Sequence, residues 1–280
     1  MARRMIFIVA CLCIATAAFG QRVTRTFNDV SMSEALKWLN ERGGEYNISF
    51  LYNELEDFRV TTSVKNKSVP DAIQQLIGFY PIKMTVQGKE IAVECPQKAS
   101  TRYKGTVLDE TGQPLPYANV ALLSPRDSTV ITGGVTNESG LFVIPCDQSG
   151  VLARITYVGY CPVYRHCKTP HLGTIKMQPD QYTLGSVTVK GERPQYQTRG
   201  NSIVTNVAGT ILERLHSTNE LLLQVPGVVA LPDGTLTVFG RGTPIYYLNN
   251  RKVQNWQEIT RLSPKEILNI DSHSTIYFRV

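Results

Sequence analysis

The sequence predicts a multidomain α+β protein: a small βαβ-type domain, a β-sandwich and a mixed α/β domain, in that order along 280 residues. Three observations predict it. Two serine-capped helical repeats sit among short strands early in the chain. The middle alternates short strands with Gly/Pro turns and shows no helix-length apolar face. From Asn201 onward, capped helices again interrupt strands.

The chain opens with "MARRMIFIVACLCIATAAFGQ", in which Arg3 and Arg4 precede an apolar run that ends in small residues at Ala18–Gly20. That pattern is an export signal spanning residues 1–20. The run is about 15 residues, short of the roughly 20 a membrane-spanning helix needs. Cys11 and Cys13 lack the small-residue context of a lipoprotein signal.

Without Arg3 and Arg4, 27 basic residues face 23 acidic ones, and no block or stripe of Lys/Arg recurs, so nucleic acid is not an expected partner. The mature cysteines are Cys95, Cys146, Cys161 and Cys167. Export permits disulfides, with Cys146 to Cys161 or Cys167 among the pairings to test. Their spacing is not that of a zinc cluster, and no cofactor or metal is expected.

In the first domain, residues 21–98, "SMSEALKWL" (Ser31–Leu39) echoes "SVPDAIQQL" (Ser68–Leu76). Each starts with a serine followed three residues later by an acid, the spacing that satisfies free N–H groups at a helix start. Met32, Leu36 and Leu39 share one helical face, as do Val69, Ile73 and Leu76. "NISFLY", "FRVTTSV", "IKMTV" and "EIAVEC" supply strands, the last two joined by a turn at Gln87-Gly88-Lys89. Two helices on one small sheet are expected, with no nucleophile or paired acids.

Residues 101–178 are expected to form the sandwich. "YKGTVLDETGQPLPYANVALL" and "TGGVTNESGLFVIP" each give strand, turn and strand, and "VLARITYVGYCPVYRHC" adds another strand and a bend. Asp109 and Asp147 fall at turns and are expected to cap them. Neither these, Asp127 and His166, nor His166 with His171, have a catalytic spacing, so no enzyme is expected.

Residues 179–200 form a linker with a short β-prone centre, "LGSVTVKG" at Leu184–Gly191. The third domain, 201–280, begins with the strand-like "SIVTNV". Ser217 and Glu220 then cap "STNELLLQV", which Pro226-Gly227 closes. After a strand at Leu236–Phe239 and the glycine turn around Arg241, "PIYYLNNRKV" reads as a hairpin. Asn249 and Asn250 tolerate its left-handed turn, and one side of Tyr246-Tyr247 faces the core. Gly240-x-Gly242 leads into Pro244 and a strand instead of a helix, which excludes a dinucleotide fingerprint. Ser263-Pro264-x-Glu266 starts a last helical turn.

Three resemblances lie on these residues. "FNDVSMSEALKWLNERGGEYNISFLY" with "VTTSVKNKSVPDAIQQLIGFYPIKMTVQGKEIAV" resembles the short N-terminal domain shared by secretins and some TonB-dependent receptors. "GTVLDETGQPLPYANV", "GGVTNESGLFVI" and "ITYVGY" resemble the carboxypeptidase-regulatory-like sandwich found before many Bacteroidetes receptors. "STNELLLQVPGVVALPDGTLTVFGRGTPIYYLNNRKV" with "EITRLSPKEILNI" resembles the plug domain of TonB-dependent receptors.

Together these imply the N-terminal part of a receptor at the periplasmic side of the cell outer membrane, with a signalling domain, a sandwich and a plug. The resemblance implies that Leu184, Val187 and Val189 belong to a TonB box docking the TonB C-terminal domain, although Ser186 stands where an acid is usual. It also implies an anti-sigma factor as partner of the first domain, and a plug hairpin carrying Arg241, Tyr247, Asn249 and Asn250. A barrel of roughly 22 strands needs at least about 220 residues. Only ten follow Ile270, and "DSHSTIYFRV" departs from the expected continuation, so the expectation is a chain that does not form the channel by itself: a truncated receptor, one part of a split receptor, or a free periplasmic accessory protein. The alternative is a soluble secreted carbohydrate-binding or adhesion module built on the sandwich and the aromatic hairpin.

Overall fold

A computed structural model describes residues 22–180, 195–199, 202–231, 235–239, 242–273 and 275–280. The chain is strand-rich α+β and divides into two compact units, Met1–Leu76 with Met84–Glu94, and Ile77–Lys83 with Cys95–Val280. The expected export signal, residues 1–20, lies outside the described residues.

The first unit runs β1 (Arg22–Ser31), α1 (Met32–Arg42), β2 (Asn47–Phe50), α2 (Tyr52–Leu55), β3 (Arg59–Ser68), α3 (Val69–Ile77), β4 (Lys83–Gln87) and β5 (Glu90–Glu94). Both helix starts carry the expected caps. Ser31 Oγ accepts from the Glu34 N–H at 3.1 Å, and Ser68 Oγ accepts from the Asp71 N–H at 3.3 Å while donating to its carboxylate at 2.6 Å. The apolar faces are fully used, since Met32, Leu36, Leu39, Val69 and Ile73 have no exposed surface. At full burial each such side chain contributes roughly 1.5–3 kcal/mol over an exposed position.

The strands differ from the expected single sheet. β1 pairs antiparallel with β3, while β2-β5-β4 form a separate sheet in which β2 runs parallel to β5, with Ile48 opposite Ile91. Sequence reading assigns no strand to Arg22–Ser31, and the ladder explains why. Its register shifts between Val23 and Arg25 and again between Phe27 and Val30, and Asp29 takes a positive φ of 50°, so the alternation is broken twice. Arg59 repairs the distortion by donating to the Asp29 carboxylate at 3.0 Å, which holds that carboxyl below its ordinary range.

The second unit begins with β6 (Arg102–Leu108), β7 (Asn119–Leu123), β8 (Val130–Val135), β9 (Leu141–Pro145), β10 (Leu152–Thr156), β11 (Val163–His166) and β12 (His171–Lys176). They form two sheets, β11-β10-β7-β8 and β12-β6-β9, with β12 parallel to β6. Val107, Phe142 and Ile144 from one sheet meet Leu122, Ala153 and Ile155 from the other in one cluster, so alternating side chains of both sheets fill the space between them. Two of its buried members are Cys146 and Cys167. The considered bridge from Cys146 to Cys161 or Cys167 is not formed, for these three cysteines are free thiols.

The turns of this region are held by carboxylates. Asp109 accepts from the Thr111 and Gln113 N–H groups at 2.8 Å, and Asp147 accepts from Ser100 N–H at 2.8 Å and Thr101 N–H at 2.9 Å. Both are therefore caps, as their turn positions suggest. Asp127 does the same for Thr129. Hydrogen bonding to the charged form holds all three carboxyls below their ordinary range.

The remaining chain adds β13 (Tyr196–Arg199), β14 (Ser202–Asn206), α4 (Thr218–Gln224), β15 (Val228–Ala230), β16 (Leu236–Val238), β17 (Ile245–Leu248), β18 (Arg251–Lys252), α5 (Gln257–Thr260), β19 (Asn269–Ser272) and β20 (Thr275–Arg279). The six-stranded sheet has the order β13-β14-β19-β20-β17-β18. Ser217 caps α4 by accepting from Glu220 N–H at 3.2 Å, and Ser263 and Glu266 make a full capping box on the turn Pro264–Glu266. Sequence reading assigns no element to the last ten residues. Instead β20 is a central strand, antiparallel to β19 and parallel to β17, with Ile276 and Phe278 completely buried.

Candidate docking site

The hairpin β17–β18 pairs Tyr247 with Lys252 and Leu248 with Arg251 across a two-residue turn. Asn249 and Asn250 have φ of 46° and 67°, the left-handed pair that a type I′ turn requires and that asparagine tolerates better than most residues. The turn is tied to the last strand: Asn249 N–H donates to Phe278 O at 2.9 Å, and its side-chain oxygen accepts from Val280 N–H at 3.1 Å. Arg251 pairs with Glu258, whose carboxyl is held below its ordinary range mainly by that bond.

Alternation along β17 sends its tyrosines to opposite faces. Tyr246 packs on the buried cluster and lies 4.8 Å from the Trp256 ring centre, and burial pushes its hydroxyl up to about 12. Tyr247 stacks on Tyr277 of the neighbouring strand, 4.8 Å between centres at 21°. Ile245 and Tyr277 are 47% and 38% exposed, so this face is an aromatic and aliphatic surface available to a partner.

A small, shallow cleft lies elsewhere in this unit, among Phe79, Gly133, Gly227, Phe239, Ser272 and His273. Ser272 Oγ already donates to Ile203 O at 3.3 Å. The walls are mostly apolar side chains and glycine backbone, with Ser272 and His273 as the polar side chains at the rim. His166 and His171 sit exposed on β11 and β12, and no metal-holding group of three His/Cys/Asp/Glu exists among the described residues.

Of the sequence-predicted site residues, Tyr247, Asn249 and Asn250, expected on a hairpin, are brought together on β17–β18 and its turn. Leu184, Val187, Val189 and Arg241 lie outside the described residues. Sequence reading missed the ends of the connection that holds the first three of these. Before it, Tyr160 bridges to Pro179, and after it Tyr196 enters the six-stranded sheet beside Tyr157. The available signal was tyrosine density, in "ITYVGY" and "PQYQTR", and a polar Asn119 inside an otherwise apolar strand. A scan against protein-family models finds no match to this chain, and a comparison with curated proteins finds none.

Proposed function

We propose that the chain is the periplasmic and plug portion of a TonB-dependent outer-membrane receptor. It takes part in gating nutrient uptake at the outer membrane and passes a signal from its first domain to an anti-sigma factor. The observation that carries this reading is the order of the three resembling segments, with the β-prone stretch Leu184–Gly191 falling between the second and third. In this reading the TonB C-terminal domain adds a strand to that stretch, using backbone N–H and C=O groups, and a pull on it rearranges the C-terminal sheet. The work is mechanical and needs no covalent step.

The test is retention on immobilised TonB C-terminal domain, comparing the intact chain with one lacking Thr183–Gly191. Retention is expected to be lost with the deletion. Equal retention by both removes the docking role.

The stacked pair Tyr247–Tyr277 favours a second reading, a secreted carbohydrate-binding or adhesion module, because a half-exposed aromatic platform also suits the apolar face of a sugar ring. That reading requires saturable glycan binding that Tyr277→Ala abolishes and that deletion of Thr183–Gly191 leaves intact.

A further inference from the structure

The sandwich and the C-terminal sheet share one core. Tyr117, Val135 and Val158 of the sandwich are buried in the same cluster as Ile203, Val207 and Leu222. Apolar burial alone has no direction, and two polar devices supply it. The first is Asn119, on β7 of the sandwich and only 8% exposed. Its side-chain oxygen accepts from Gly227 N–H at 2.6 Å, and its amide donates to Val225 O at 3.4 Å. The side chain thereby acts as a ladder partner for the turn after α4. A buried amide satisfied in this way loses both partners if the two parts separate.

The second device is a row of tyrosines. Tyr157 lies 5.6 Å from Tyr160 and 5.7 Å from Tyr196 in edge-on arrangements. Tyr196 is buried and its hydroxyl donates to Gln224 O at 3.0 Å. Burial pushes the Tyr157 hydroxyl up to about 12 and raises that of Tyr196 well above its ordinary value, so both stay neutral in this apolar setting. The turn from Tyr157 to Cys161, which carries the first two of these tyrosines, also grips the chain before residue 181. Cys161 N–H donates to Gln178 O at 2.8 Å, and Asp180 N–H donates to Gly159 O at 2.9 Å. Phe239 adds a third contact by seating on Gly133, where any Cβ would meet both its ring and, at 2.6 Å, Val120 O.

We propose that the sandwich and the C-terminal sheet are a single locked body, keyed by Asn119 and clasped by Tyr157, Tyr160 and Tyr196. The connection between residues 180 and 195 therefore leaves and returns at one anchored point. The consequence is mechanical. A pull applied within that connection is shared between the Pro179 and Tyr196 anchors and moves both parts together. Neither part trails the other as a flexible accessory. The inference stands on the seam alone and is independent of which protein does the pulling.

The experiment uses the full mature chain with a protease site inserted between Val187 and Thr188. After cutting, the two pieces are expected to co-elute as one particle on gel filtration, and Asn119→Ala with Tyr196→Ala is expected to release them. Separation of the pieces from the unsubstituted chain overturns the proposal. So does co-elution that survives the double substitution.

A second measurement covers the case in which the double variant fails to fold. In uncut Trp38→Phe chain also carrying Cys95→Ala and Cys161→Ser, urea unfolding is followed by labelling of the buried thiols Cys146 and Cys167 for the sandwich, and by Trp256 fluorescence for the sheet. Coincident midpoints are expected, moving down together in Tyr196→Phe, which loses only the hydroxyl bond. Midpoints that differ before any seam substitution overturn the proposal.

Discussion

In the first unit, Leu36, Leu39, Ile73 and Leu76 reach the interior from two helices whose periodicity is local. In the second, Tyr117 and Val135 share their core with Ile203 and Phe278, far along the chain. The first arrangement is written into single windows of sequence. The second exists only after β7, β8, β14 and β20 have come together. A helix face specifies its own orientation, whereas a strand needs a partner before its two faces differ.

The strongest way to break this contrast is to excavate each core in turn. Phe278→Ala removes a fully buried ring from a central strand and is expected to cost about 3–5 kcal/mol. The loss should register in urea unfolding followed by Trp256 in the second unit, while Trp38, in the first, keeps its midpoint. Leu36→Ala is the converse, about 2–5 kcal/mol, read at Trp38 and silent at Trp256. Single-tryptophan variants separate the two signals. If either substitution shifts both midpoints equally, the two units do not unfold independently and the comparison fails.

A milder probe sharpens it. Ser31→Ala and Ser217→Ala each delete a hydroxyl that accepts from a helix N–H, worth typically ~1 kcal/mol. Each loss should stay within its own unit. Ser31 is expected to matter more, because α1 is eleven residues long and buries a whole face, whereas α4 has seven residues. A larger effect at Ser217 would mean that the seam around Val225–Gly227 amplifies changes in α4.

The contrast also marks what the sequence made legible. Helix starts at Ser31, Ser68 and Ser217, the turns at Asp109 and Asp147, and the hairpin at Asn249-Asn250 were readable because each depends on residues within a few positions. β1 was not, because two register shifts and the left-handed Asp29 destroy the alternation that marks a strand. β20 does alternate, with Ile276 and Phe278 inward, but five residues cannot announce a place in mid-sheet. The division of β1–β3 from β2-β5-β4 is likewise a matter of pairing, which composition does not encode. Asn119 was visible as a polar residue in an apolar strand, yet its partners lie more than a hundred positions away.

The smallest expected effect is a difference in acid sensitivity. Asp109, Asp127, Asp147 and Glu258 of the second unit all have carboxyls held below their ordinary range by hydrogen bonds to the charged form. In the first unit Asp29 alone, among the described residues, is lowered, chiefly by its bond to Arg59. A depressed carboxyl contributes stability that is present above its unfolded value and is lost as pH falls through the folded one. Lowering pH from 7 to 3 should therefore reduce the Trp256 midpoint more than the Trp38 midpoint, offset in part by Glu138 of the second unit, whose carboxyl is raised by burial and relieved by acid. Because the lowered carboxyls are at the surface, the gap should be modest and should shrink further in Asp109→Ala/Asp147→Ala, whose neutral-pH stability has already lost the caps. An acid response larger at Trp38 would place the pH-sensitive contacts in the first unit instead, with the Asp29–Arg59 pair at the β1 distortion as the element responsible.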